Sequence, residues 1–188
     1  MAAAQRQTVE TWATAVATGD PRGIPNDQHE GVKLATYAAW FAADDVSDTH
    51  STFAANLDQW QHITTVACFR MGSHRLDVNT RRWGPDKVGR SQRLCYCCEA
   101  NTVEDEKHVV MECPAYHAER EIFLNNIQGH ADTDNELSAM RAWMNGDGTR
   151  EHWQAVARFL ISCRRVRAKL RCALIGKEKI PASWAIDM

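Results

Sequence analysis

Cys95, Cys98, His108 and Cys113 fall in the order C-x2-C-x9-H-x4-C. That spacing limits what the chain can fold into more than any other feature does. Two residues between the first pair let both sulfurs point at one ion. Three thiols and one imidazole then complete a four-ligand set for tetrahedral Zn2+. Four protein ligands leave no open coordination position, so the expected ion holds the fold and activates no water. The plainer alternative is a chance cluster of packed thiols, a known false positive of short metal patterns. Inside the motif two competitors stay open. Cys97 competes with Cys98, although Cys95-x-Cys97 is the poorer chelate and Cys97 reads more simply as a small apolar filler. His117 competes with His108, although Pro114 suits the first turn of a helix there. Three thiolates outweigh the charge of one Zn2+, so basic neighbours would help the thiols ionise.

Seven cysteines, an odd number with three in one ligand pattern, point to a reducing setting and not to a disulfide scaffold. Cys68, Cys163 and Cys172 sit in helical patterns and read as packed thiols. No run approaches the ~20 apolar residues that a membrane helix needs. Met1-Ala-Ala-Ala-Gln-Arg6 lacks the apolar block of a secretory signal. The expectation is an intracellular protein, nuclear or cytoplasmic, without a membrane partner.

The formal net charge of −2 hides a segregation along the chain. Residues 1–69 carry −5, residues 70–93 carry +5, residues 99–121 carry −5 and residues 158–179 carry +7. The two basic blocks therefore say more about partners than the overall balance does.

The hydrophobic pattern is helical nearly throughout, so the fold class is mostly α. About six helices are expected, with the CCHC knuckle and a basic loop inserted between them. Val9, Trp12, Ala13 and Val16 mark a first helix stopped at Gly19, and Leu34, Tyr37, Ala38 and Phe41 mark a second. Phe53, Leu57, Trp60, Thr64, Ala67 and Met71 give a third helix a continuous core stripe, ended by Gly72. Residues 73–93 lose periodicity, with one short strand expected at Leu76–Val78. Pro114 opens a helix over 114–125 with Tyr116, Ile122 and Phe123 apolar. After a polar break from His130 to Asn135, Leu137, Met140 and Met144 mark another helix, ended by the turn from Asn145 to Gly148. Thr149 caps the last long helix, whose stripe is Trp153, Val156, Leu160, Cys163, Val166, Leu170 and Leu174, closed by Gly176. The natural segments are 1–72, 73–125 and 126–188, together forming one compact domain.

The basic block before the first cysteine reads Arg70, His74, Arg75, then Arg81, Arg82 and Trp83, then Arg90 and Arg93. Guanidinium groups partner phosphates, and an aromatic among them offers a stacking plane. Beside a zinc knuckle, such a block suits single-stranded RNA or DNA, whose bases are accessible. Arg164, Arg165 and Arg167 on the last helix are candidates for a second phosphate-contacting surface. The competing reading pairs these arginines with the acidic 99–121 block, or leaves them as a solvated helix end.

Arg70-x-Gly72-x-His74-x-Leu76, Thr80-Arg-Arg-Trp83, Arg90-x2-Arg93-x-Cys95-x2-Cys98 and Val103-Glu-Asp-Glu106-x-His108-x4-Cys113-Pro-x-Tyr116 occur in that order. Together they resemble the zinc-binding region downstream of the reverse transcriptase in non-LTR retrotransposons. The resemblance covers residues 69–120. It implies zinc on Cys95, Cys98, His108 and Cys113, and template RNA or DNA handling during target-primed reverse transcription. The polymerase motifs are absent. Phe41-Ala-Ala-Asp-Asp45 is one residue out of register for Phe-x-Asp-Asp and lies in a helical, polar pattern. The chain thus looks like a stand-alone or truncated C-terminal piece of such an element.

No enzyme is expected. His117-Ala-Glu119 imitates the His-x-Glu of zinc deaminases, but it follows the Cys-x2-Cys pair instead of preceding it. Glu104-Asp105-Glu106 reads as a solvated acidic turn, or one paired with Arg81 and Arg82, before it reads as a Mg2+ site. The leading expectation is a non-catalytic, zinc-stabilised nucleic-acid-binding module. The alternative is a structural or docking domain that packs on a reverse transcriptase core or self-associates.

Overall fold

The computed structural model describes residues 55–81, 87–127, 136–145 and 149–176. Five helices follow one another there: α1 (Trp60–Arg70), α2 (Asp77–Thr80), α3 (His117–Asn126), α4 (Glu136–Asn145) and α5 (Arg150–Leu174). The helices expected around Val9 and Leu34, the Phe-x-Asp-Asp stretch at Phe41–Asp45, Phe53, Arg82, Trp83 and the polar break at His130–Asn135 lie outside the described residues.

The long helix α5 packs against both α1 and α3. Its start is fixed as the sequence suggests, with Thr149 Oγ1 accepting from His152 N at 3.3 Å. The first part of its stripe holds, since Trp153, Val156, Leu160 and Cys163 are buried, but Val166 and Leu170 are half-buried and Leu174 is exposed where the helix runs past the core. Phe123 of α3 stacks on Phe159 of α5 at 4.9 Å between ring centroids. Met140 and Met144 of α4 are buried in the same cluster. One hydrophobic cluster runs from Leu57 to Cys163 through all three segments of the chain.

Helix α1 ends as Gly72 requires. Gly72 has φ 58°, its N–H donates to Phe69 O at 3.2 Å, and Ser73 N–H reaches Cys68 O at 2.8 Å. These bonds close a left-handed cap that a Cβ would strain. The face of α1 differs from the expected stripe. Val66, Phe69, Thr65 and Arg70 are buried, whereas Trp60 is 76% and Met71 50% exposed. The expectation assumed one continuous helix from Phe53. The chain is not helical at residues 57–59, so residues before and after that break do not share a face. Ile122 is likewise exposed on α3.

The strand expected at Leu76–Val78 is instead the single turn α2. Leu76 and Val78 both point inward, and the Asp77 N–H donates to Glu104 Oε2 at 2.6 Å. That carboxylate, far away in sequence, acts as the N-terminal anion of the turn. Among the described residues the only β pairing is an isolated antiparallel bridge between Leu94 and Val103. Among the described residues, no helix is long and apolar enough to cross a membrane.

Candidate metal centre

The Leu94–Val103 bridge sets up the centre. Cys95 N–H donates to Thr102 O at 2.8 Å and Glu104 N–H to Arg93 O at 2.9 Å. The chain reverses through Asn101 at φ 53°, a conformation asparagine tolerates better than most residues. This hairpin carries Cys95 and Cys98. His108 and Cys113 come from a π-helical turn, His108–Glu112. Its wide ring closes with Cys113 N–H on His108 O at 2.7 Å, which brings the last ligand back beside the histidine. Arg120 of α3 secures that turn, with Nε on Val110 O at 2.7 Å and Nη2 on Cys113 O at 3.0 Å.

The ligand atoms of Cys95, Cys98, His108 and Cys113 all lie within 4.8 Å of one another. Cys95 Sγ and Cys113 Sγ are 3.9 Å apart, and Cys98 Sγ is 3.3 Å from His108 Nε2. Donors about 2.0–2.3 Å from one tetrahedral ion sit roughly 3.5–3.8 Å from each other, so the set is shaped to hold a metal ion. His108 Nδ1 faces Glu112 Oε2 at 3.3 Å. A proton shared there leaves the Nε2 lone pair directed at the cluster, as in carboxylate-oriented metal histidines. Glu112 is itself held by Lys107 Nζ at 2.8 Å.

The thiols are electrostatically interdependent. Contact with Cys113 and Cys97 holds the Cys95 thiol well below its ordinary value. The same contact with Cys95, followed by burial, pushes Cys113 up, and burial raises Cys98. Like charges this close do not ionise together unless a cation sits among them.

No protein-family model, curated protein or solved structure matches the chain.

The geometry separates the two competitors inside the motif from the quartet. His117 is 67% exposed at its side chain and faces Glu121 at 3.7 Å; it is outside the quartet. Cys97 accepts from Tyr116 Oη at 3.4 Å and packs against the core. It also lies with Cys95 and Glu104 in a second close group, which shares only Cys95 with the quartet.

The acidic triplet is not a solvated turn. Glu104 is 0% exposed and accepts Arg167 Nε and Nη2, both at 2.7 Å. Burial pushes its carboxyl up, and the Arg167 bonds oppose that shift. Asp105 accepts Arg90 Nη2 at 2.7 Å and His108 N–H at 3.0 Å. Glu106 Oε1 lies 2.5 Å from His74 Nε2. His74 Nδ1 accepts from Leu76 N–H at 3.3 Å, so Nε2 is the ring's donor. Arg81 reaches Asp77, at 3.9 Å, and not this triplet.

Several arginines expected on a nucleic-acid surface are therefore interior. Arg93 is 3% exposed and donates to Val88 O and Val78 O at 2.8–3.0 Å. Arg70 is buried over the Trp153 ring and reaches Met144 O at 3.4 Å. Arg167 is buried against Glu104 and the Tyr96 ring. The physical reason is the same each time: a carboxylate, backbone carbonyl or ring beside the guanidinium offsets the cost of taking it out of water. Arg75 and Arg165 are exposed, and Arg81 and Arg164 half-buried. Glu104, Glu112 and Arg120 were not singled out from sequence as parts of the centre. Only Glu112, four residues after His108, carried a local signal.

Proposed function

We propose that the quartet binds one Zn2+ as a structural ion, in a non-catalytic module that contacts single-stranded RNA or DNA. The convergence of three sulfurs and one carboxylate-oriented imidazole within 4.8 Å supports the metal part most directly. Soft thiolates with imidazole in a tetrahedral set favour zinc over Mg2+, Ca2+ or Mn2+. Four protein donors leave no position for a metal-activated water. The ion ties the 93–104 hairpin to the π turn and, through Arg120, to α3.

The nucleic-acid part rests on the cations at the surface of this scaffold: Arg75 and Arg165, exposed, with Arg81 and Arg164 half-buried. It agrees with the resemblance to the retrotransposon region, under which the module handles template RNA or DNA. The test is titration of metal-loaded protein with single-stranded RNA and DNA at two salt concentrations. Affinity should fall as salt rises, with a slope lowered by about one when Arg81 or Arg165 becomes Ala. Absent binding at low salt contradicts the reading.

The internal pairing of Arg167, Arg90 and His74 with Glu104, Asp105 and Glu106 favours a second reading, a structural or docking domain that packs on a polymerase core or on its own copy. Light scattering separates the two: a dimer without nucleic-acid affinity supports docking.

A further inference from the structure

Between α1 and α5 lies a cleft of about 350 Å³. Its floor is apolar and buried, made by Phe69, Leu160, Val109 and Tyr116. Val109 follows the ligand His108, and Tyr116 comes three residues after the ligand Cys113, so the metal loop supplies half of that floor. Arg75, Arg164 and Arg171 also line the cleft, and among the described residues no acidic one does. Arg164 is held across it by Nη1 on Thr65 Oγ1 at 3.1 Å. Trp60 stands at the same cleft with 76% of its surface exposed. A large exposed aromatic beside an apolar slot and converging guanidinium groups has no part in the core.

We infer that this cleft takes one unstacked base of a single strand, against Trp60, with the flanking phosphates on Arg75, Arg164 and Arg171. The inference rests on the nucleic-acid reading and adds a place and a mode to it. Its volume is at the low end of the ~300–1,000 Å³ of small-ligand pockets, which suits one base and no duplex. An aromatic face accepts any base by stacking, and arginine forks match phosphate oxygens. Three arginines with no carboxylate among the described lining residues set this occupant above a neutral apolar peptide.

The test uses full-length, zinc-loaded protein at low salt, with a uridine oligomer and an abasic strand of equal length. Trp60→Ala should weaken the uridine oligomer about tenfold and leave the abasic strand unchanged, while Trp60→Phe recovers most of the loss. Arg171→Gln should weaken both strands. Cys68 also lines the cleft and is exposed, so in the unmutated chain the uridine oligomer should slow its alkylation by a maleimide. If both strands bind but Trp60→Ala changes neither and Cys68 is unprotected, the cleft assignment is wrong and the nucleic-acid reading stands. If neither strand binds, both fall. Protection of Cys68 by an acidic peptide but not by the oligomer overturns the assignment in favour of a protein partner.

Discussion

Arg167 and Glu104, 63 residues apart in the chain, form a fork-to-fork pair with both nitrogen–oxygen distances at 2.7 Å. Glu104 closes the ligand-bearing hairpin, and its Oε2 also takes the Asp77 N–H that starts α2. Arg167 lies on α5. One buried ion pair thus joins three parts of the chain. Removing Glu104 as Glu104→Ala strands a buried guanidinium and should cost about 3–5 kcal/mol in urea unfolding. The double replacement Glu104→Leu with Arg167→Leu should recover much of that loss, because apolar groups of similar volume replace such pairs at little cost. A single Glu104→Ala loss below about 1 kcal/mol would mean that water or another group takes the carboxylate's place.

Glu112 orients the ligand imidazole through Nδ1. Glu112→Gln should lower metal affinity roughly 10–100-fold in competition with a chromophoric chelator. His117→Ala and Cys97→Ser should leave it unchanged, since neither residue is in the quartet. A loss on His117→Ala equal to that on His108→Ala would reassign the nitrogen ligand.

Phe123 is buried where α3 meets α5, stacked on Phe159 and edge-on to Trp143. Phe123→Ala removes these ring contacts, with a third to His152, and leaves a cavity, at a cost of about 3–5 kcal/mol. Thermal unfolding followed at 222 nm (helix signal) reads this directly. Ile122→Ala on the exposed side of the same helix serves as the control and should change little.

Gly72 sits at φ 58° in the cap of α1. Gly72→Ala forces an L side chain into the left-handed region and should cost about 1–2 kcal/mol. Denaturant midpoints of the two proteins at equal slope decide this.

The parts legible in the sequence were those fixed by local chemistry. The convergence of the quartet follows from spacing, because a two-residue gap and the one histidine between Cys98 and Cys113 determine which side chains meet. The Gly72 and Thr149 boundaries follow from backbone rules that act within a few residues. What stayed hidden depends on partners distant in sequence. Arg167 looks like a solvated cation until Glu104 is folded against it, and Arg93 until the Val78 and Val88 carbonyls surround it. The apolar spacing puts Trp60 in the core only if residues 53–71 form one uninterrupted helix. The break at residues 57–59 changes the phase of everything after it.

A metal ion shared by Cys95, Cys98, His108 and Cys113 would hold the hairpin, the π turn and α3 together. Its most direct measurement is the zinc content of the purified chain, followed by circular dichroism before and after a strong chelator. One zinc per chain is expected, with chelation abolishing part of the helical signal and Cys113→Ala abolishing the zinc, because binding free energy at a structural site is folding free energy. A metal-free chain whose spectrum and unfolding midpoint ignore the chelator would contradict it.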